Sequence, residues 1–395
     1  MTGADTGDDD RQSGLTVGVV GAGTMGAGIA QVCLAAGHDV LLFDVDHAAI
    51  ERGRGRIADG LQKLVDKGKL EGASRDQMLT ALRDAHTLEG LAEESDIVIE
   101  AALEDLALKE TIFRALGSGT APSAILATNT SALSVTDIAD ASGEPARVIG
   151  LHFFNPAPVM PLVEVVLGDQ TSRVTATSAT QFAQDLGKQP VVCRDSPGFI
   201  VNRVNRPFTL EALRMLGAEE AGVEQIDRAI RLAGYAMGPF ELMDLVGIDV
   251  NLAVATALWR GFDEALRFTP SPVQQALVDA GHLGRKTGEG FYRYEGGRPA
   301  AVAWRSTEGS LGDDEIASRL ELPIINEAYS AAGEGVAEAG DIDRAMKLGA
   351  SHPYGPFERA GQLGLRNVID GLRALEDRYG ERFRVARALW DIASI

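Results

Sequence analysis

Between an apolar run, Leu15–Val20, and an amphipathic stretch opening at Met25, the chain reads Gly21-Ala-Gly23-Thr-Met-Gly26. Few short sequences restrict a fold as much. The first glycine permits a tight turn, the second lets backbone approach a pyrophosphate, and the third lets a helix pack closely on a strand. A helix that starts there points free N–H groups at an anion. Alone the pattern is weak evidence, but its setting is complete. Gly37-His38-Asp-Val leads into a second apolar run ending at Asp44, near the ~20-residue spacing of an acid that binds ribose hydroxyls. Val45 and Asp46 follow with no Arg, so a 2′-phosphate would meet carboxylates. NAD is favoured over NADP.

From Leu15 onward, short apolar runs alternate with amphipathic helices, the pattern of a parallel α/β sheet. Strands are predicted over 15–20, 40–43, 97–100, 124–128 and 148–151, and helices over 25–36 and 106–116, with a long helical pair from about Ala48 to Arg83. Past Asp195 the strands are expected to stop, and the remainder reads as helical. That half repeats itself. Glu211-Ala212 matches Glu327-Ala328, Pro207 matches Pro323 and Ile226-Asp-Arg-Ala matches Ile342-Asp-Arg-Ala, each 116 residues apart. One inserted residue later, Gly238-Pro-Phe-Glu matches Gly355-Pro-Phe-Glu and Gly247 matches Gly364. A constant offset with one step points to a tandem duplication. The expected fold class is a Rossmann-type α/β dinucleotide-binding domain followed by an all-α C-terminal domain, tandemly duplicated. Residues 1–13 read as a disordered tail, 14–195 as the nucleotide domain, and 196–295 and 310–395 as the two helical copies. A Gly-, Arg- and Ser-rich linker is expected from about Tyr292 to Asp314.

With 37 Lys and Arg against 57 Asp and Glu, the net charge of −20 argues against nucleic acid or anionic membrane as partner, since both need concentrated cations. No run of about 18 apolar residues offers a membrane span, and the polar, acidic start lacks the order of a signal peptide. Cys33 and Cys193 lie in apolar stretches and read as buried free thiols, which fits a reducing cytoplasm.

Chemistry concentrates between Ser131 and Asn202. His152 follows a predicted strand at the sheet's carboxyl edge, where open α/β sheets bind ligands. Glu164 comes twelve residues later in Pro161-Leu-Val-Glu-Val-Val, and a carboxylate among Val and Leu is costly unless paired. An imidazole partner would satisfy it, and the carboxylate would fix the tautomer and stabilise the imidazolium formed on proton uptake. Oxidation of an alcohol needs such a base for the hydroxyl proton as hydride leaves for a nicotinamide. Ser131 at a strand end and Asn202 at a helix start could hydrogen-bond the oxygen, although each taken singly also suits a cap or turn.

On these residues the chain, from 15 to 290, resembles the NAD-dependent L-3-hydroxyacyl-CoA dehydrogenase family, which includes the 3-hydroxybutyryl-CoA dehydrogenases. The resemblance rests on Gly21-Ala-Gly-Thr-Met-Gly26, Thr128-Asn-Thr-Ser131, His152-Phe-Phe-Asn155-Pro, Glu164, Asp195-Ser-Pro-Gly-Phe-Ile-Val-Asn202-Arg and Gly284-Arg-Lys-Thr-Gly-Glu-Gly-Phe-Tyr292. It implies NAD-dependent oxidation of an (S)-3-hydroxyacyl-CoA to the 3-oxoacyl-CoA, or the reverse, in fatty acid metabolism. His152 would be the base and Glu164 its partner, with Ser131 and Asn202 holding the substrate's 3-oxygen in a cleft between domains. Asp44 would take the adenosine ribose, Glu104 and Lys109 the cofactor, and Asn155 the nicotinamide end. Gly21, Gly23, Thr24, Met25, Gly26, Asn129 and Ser131 complete the implied cofactor set. Among Lys63, Lys67 and Lys69, Lys67 best fits the family's basic position for CoA, with a solvated helix face as the alternative. No metal is implied.

In short members of the family, the helical domains of two subunits pack into a dimer. A second copy in one chain could satisfy that surface internally, while a homodimer through other surfaces stays open. Asn202 aligns with Ser318, so the second copy lacks that side chain and reads as scaffold. His352 reads as a turn residue. Three other readings stay open: a dehydrogenase of acyl chains on acyl carrier protein, a gulonate-type sugar-acid dehydrogenase, and a non-enzymatic, crystallin-like NAD-binding protein.

Overall fold

The structure, a computed structural model, describes residues 14–304 and 308–393. The tail expected at 1–13 lies outside them, as does part of the expected linker. Two compact units are present. The first takes the described residues up to Asn129, with Asp137–Val159 and Gln170–Lys188. The second takes Thr130–Thr136, Met160–Asp169 and everything from Gln189.

In the first unit, β1 (Thr16–Val20), α1 (Thr24–Ala35), β2 (Asp39–Phe43), α2 (His47–Asp66), α3 (Gly72–Thr80), β3 (Leu82–Asp84), α4 (Leu88–Glu94), β4 (Ile97–Glu100), α5 (Leu106–Gly119), β5 (Ile125–Thr128), α6 (Val135–Ser142) and β6 (Val148–Phe153) follow in order. The strands pair in parallel in the order β3-β2-β1-β4-β5-β6. Strands buried on both faces read as unbroken Val, Ile and Leu, as in Ile97–Glu100. The chain order reverses between β1 and β4, and such sheets bind ligands at that switch, outside the carboxyl ends. Helix α7 (Arg173–Asp185) closes the unit.

The second unit begins with the parallel pair β7 (Leu162–Leu167) and β8 (Gln189–Arg194). Helices follow: α8 (Val201–Val204), α9 (Arg206–Gly217), α10 (Val223–Leu232), α11 (Pro239–Val246), α12 (Ile248–Gly261) and α13 (Pro272–Asp279). After the hairpin β9 (Tyr292–Glu295) and β10 (Arg298–Val302) come α14 (Asp313–Gly333), α15 (Ala339–Gly349), α16 (Pro356–Leu363), α17 (Leu365–Tyr379) and α18 (Arg387–Ala393). Helix α14, buried along most of its length, packs against α9, α10, α16, α17 and α18. No single helix among the described residues is long and apolar enough to cross a membrane.

Local construction recurs at the sequence offset. Asp227 accepts the amides of Phe240 and Glu241, and Asp343 accepts those of Phe357 and Glu358. In both places a buried carboxylate satisfies the first free amides of the next helix.

Two expectations change. The helical pair ends at Thr80, and Leu82–Asp84 becomes a strand because it pairs with β2, Val40 opposite Leu82; tertiary pairing overrides a local helical pattern. The expected linker also contains an antiparallel hairpin. Gly296 and Gly297 both take positive φ, 56° and 79°, as a two-residue hairpin turn with right-handed twist requires. The hairpin is pinned to the first helical copy: Tyr292 Oη donates to Asp227 at 2.8 Å and Tyr294 Oη to Asp244 at 2.9 Å.

His352, in the loop between α15 and α16, is buried. Its ring lies against Tyr235 and Phe208 of the first copy, and burial lowers its pKa from 6.5 to about 3. A histidine kept neutral when folded but free to charge when unfolded contributes stability that is complete above about pH 6.5 and lost as pH falls toward 3. Between pH 7 and pH 5 the loss is about 2 kcal/mol. Urea denaturation of His352→Gln should lack this increment. Equal acid sensitivity in both proteins would sink the account.

Candidate active site

The dinucleotide cradle lies within the first unit. Gly21 leaves β1 at φ 101°. A Cβ on Gly26 would fall 1.7 Å from the Gly21 carbonyl oxygen, so α1 sits directly on the turn. A Cβ on Gly23, by contrast, would meet nothing within 4 Å. The loop is therefore packed below and open above, as close approach of a pyrophosphate to backbone requires. Thr24, exposed, and Met25, half-buried, open α1 beside it. Asp44 follows β2 with its carboxylate fixed by two amides, Ala22 N at 2.8 Å and Asp46 N at 3.0 Å. Lone pairs remain for hydroxyl donors. These groups fit a dinucleotide.

Beside the cradle, at the end of β4, Glu100 is completely buried. Its Oε1 accepts from Lys109 Nζ at 2.6 Å and from Ala102 N at 2.7 Å, and its Oε2 accepts from Thr128 Oγ1 at 2.7 Å. Lys109 is buried too, with the partly exposed Glu104 at 3.4 Å. Lys109 and Glu104 are expected at the cofactor from sequence, whereas Glu100 belongs to no expected site. One signal could have found it: a Glu closing a buried Ile-Val-Ile strand must have a partner.

His152 lies in β6 next to the strand's last residue, almost fully buried. Its ring packs on Phe154 with centroids 4.5 Å apart. Asn129, just after β5, accepts the Phe153 amide through Oδ1 at 2.9 Å, which fixes the side chain across the ends of both strands. Asn155 is exposed and precedes a cis proline. Lys67 is exposed at the carboxyl end of α2.

The second unit brings Ser131, Glu164 and Asn202 to one place. Glu164, in β7, is completely buried. Its Oε1 accepts from Ile200 N at 3.0 Å and Val201 N at 2.9 Å, the amides that open α8. Asn202, one residue on, donates through Nδ2 to the Ser131 carbonyl at 3.1 Å. Ser134 Oγ and Thr136 N both donate to Asp195 Oδ2, tying the loop after Ser131 to the Asp195-Ser-Pro-Gly segment. Three stretches far apart in sequence are thus joined through one helical turn. Sequence reasoning missed Arg203, whose guanidinium is completely buried beside Asn202.

Both free cysteines are buried, and burial raises the Cys33 thiol to about 12 and the Cys193 thiol well above its ordinary value.

Comparison with known proteins agrees with this geometry. The family model of the 3-hydroxyacyl-CoA dehydrogenase NAD binding domain matches residues 16–196. That of the 3-hydroxyacyl-CoA dehydrogenase C-terminal domain matches 198–294 and 316–393. The chain is 38% identical to the 3-hydroxyadipyl-CoA dehydrogenase of Escherichia coli (strain K12), over 93% of this chain and 95% of that one. It is 43% identical to the probable 3-hydroxybutyryl-CoA dehydrogenase of Deinococcus radiodurans, which it covers completely with 71% of its own length. A crystal structure of 3-hydroxybutyryl-CoA dehydrogenase from Escherichia coli K12 is similar with a TM-score of 0.88 at 36% identity, over 97% of this chain and 98% of that one. Matched by both domain models and similar to a relative along nearly its whole length, the chain belongs to the NAD-dependent 3-hydroxyacyl-CoA dehydrogenase family.

Proposed function

We propose that this enzyme interconverts an (S)-3-hydroxyacyl-CoA and the 3-oxoacyl-CoA with NAD. The observation that carries the reading is the joining of Ser131, Glu164 and Asn202 through α8, in a chain that also builds a complete dinucleotide cradle. Bound NAD supplies the hydride acceptor. His152 takes the hydroxyl proton, Glu164 fixes its tautomer and stabilises the imidazolium, and Ser131 and Asn202 hold the 3-oxygen. Asp44 receives the adenosine ribose, and the loop from Gly21 through Gly23, Thr24 and Met25 to Gly26 receives the pyrophosphate. Lys109 and Glu104 orient the cofactor, with Asn129 and Asn155 toward the nicotinamide. Lys67 meets the CoA phosphates. A cytoplasmic setting suits the two free, buried thiols. The packing of α14 on α9 supports a helical surface satisfied within one chain, so the reading requires no partner subunit.

The test is direct. With purified protein and NADH, acetoacetyl-CoA, 3-oxoadipyl-CoA and longer 3-oxoacyl-CoAs should be reduced, followed by loss of the reduced cofactor's absorbance. Preference for a carrier-protein thioester, or turnover of gulonate with NAD, would replace the substrate assignment. NADH binding without turnover of any of them would remove the enzymatic reading.

A further inference from the structure

Helix α8 carries Asn202 and lends two amides to Glu164, yet one helical turn does not hold itself. Beyond Glu164, Ser131 and the Phe262 ring under Arg203, its charged anchors come from the second helical copy. Arg203 Nε donates to Glu327 Oε1 at 2.6 Å, while Nη1 and Nη2 donate to the two oxygens of Glu334 at 2.7 and 2.8 Å. The bidentate pair sets orientation as well as charge. Burial alone would lower the guanidinium pKa; Glu334 and Glu327 outweigh it and raise the value. Glu327 is itself tethered, its other oxygen accepting from Arg267 Nε at 2.8 Å. One residue past α8, Asn205 Oδ1 lies 2.8 Å from His352 Nε2. The neutral imidazole donates there.

The two copies show why anchoring is needed. In the second, α14 runs unbroken from Asp313 through Pro323 to Gly333. In the first, the residues matching the opening turn of α14 leave the helix. Gly198 and Phe199 take φ of 73° and 51°, the latter a conformation that bulky residues rarely adopt. The helix starts only at Val201. This unwound turn is what places the Ile200 and Val201 amides on Glu164. The residues at this turn differ, Pro197-Gly198-Phe199 against Asp313-Asp314-Glu315; they release the chain from the helix, and the strained Phe199 backbone persists only where surrounding contacts hold it.

We infer that Glu334, Glu327 and His352 are positioning residues, through which the second helical copy holds α8 in the geometry that presents Asn202 and the Ile200 and Val201 amides. The inference rests on the proposed roles of Asn202 and Glu164. It makes the second copy part of the reacting apparatus.

Three variants test it. Glu334 is half-exposed, so Glu334→Ala can fold. Glu334→Gln keeps one acceptor. Phe383→Leu disturbs the second copy's core away from α8. With acetoacetyl-CoA, Glu334→Ala should lower kcat about tenfold, a small displacement of a positioned group being sufficient, with KM for NADH unchanged. Glu334→Gln should recover part of the loss. Phe383→Leu should lower Tm at least as much and keep kcat. Hydrogen exchange should show Ile200 and Val201 unprotected in Glu334→Ala alone. Were Glu334→Ala to resemble Phe383→Leu in both kcat and exchange, the residue would be structural only and the inference overturned. If wild type turns over no thioester, the activity assignment fails instead, and exchange at Ile200 and Val201 still decides the positioning role.

Discussion

Replacing His152 by Gln is expected to lower kcat by about 10²- to 10⁴-fold, the usual contribution of a positioned general base, while NADH affinity stays within about twofold of wild type. The side chain lies near the end of β6, almost fully buried, with its ring on Phe154. Gln is close to it in length and polar, so packing changes little. What disappears is a group able to take a proton. Because the base acts in the chemical step, kcat and kcat/KM should fall together. Asp44→Ala provides the converse. Its carboxylate is held by amides at the end of β2, remote in sequence from every proposed reacting group, so NADH binding should weaken first and saturated turnover least. Isothermal titration with NADH beside steady-state kinetics separates the two. Equal loss of binding and turnover in His152→Gln would remove the base assignment.

The largest effect on stability is expected from Lys109→Met. Glu100 would be left buried without its counter-charge, keeping the Ala102 amide and the Thr128 hydroxyl as donors. Removing one member of a buried pair costs about 3–5 kcal/mol, because the remaining charge has lost both solvent and counter-charge. Adding Glu100→Gln removes that charge and should restore most of the loss, a non-additivity readable in a double-mutant cycle. Urea denaturation measures all three proteins. A loss below about 1 kcal/mol in Lys109→Met would overturn the buried-pair account.

Much of the first unit was legible in the sequence because its signals are local. A Gly-x-Gly-x-x-Gly turn between a strand and a helix depends on residues next to one another, and buried parallel strands announce themselves as short apolar runs. Strand Ile97–Glu100 was read to the residue, and the others lie within a few residues of their predicted places. Leu82 and Arg83 read as helix because only their neighbour β2 makes Leu82–Asp84 a strand. The hairpin at 292–302 did carry a local signal, Gly296-Gly297, hidden in a stretch whose composition reads as linker.

Ser131, His152, Glu164 and Asn202 were likewise identifiable by residue type and motif, since a carboxylate in an apolar strand and a histidine at a sheet edge stand out against their surroundings. Their supports were not. Glu327 and Glu334 look like ordinary exposed charges on an amphipathic helix, and Arg203 like any arginine after an asparagine. Nothing local marks a partner 124 or 131 residues away. His352, read as a turn residue, turns out to contact Asn205 and the aromatic rings of the first copy.

By itself, then, the sequence determined which chemistry the chain can hold and the type of fold that holds it, because glycine turns, apolar periodicity and a misplaced carboxylate are properties of neighbouring residues. Only the tertiary structure decided what holds the short helix α8 in place. A buried guanidinium and a neutral imidazole are stable only where distant residues meet them, and that meeting holds Asn202 and the amides on Glu164 in place.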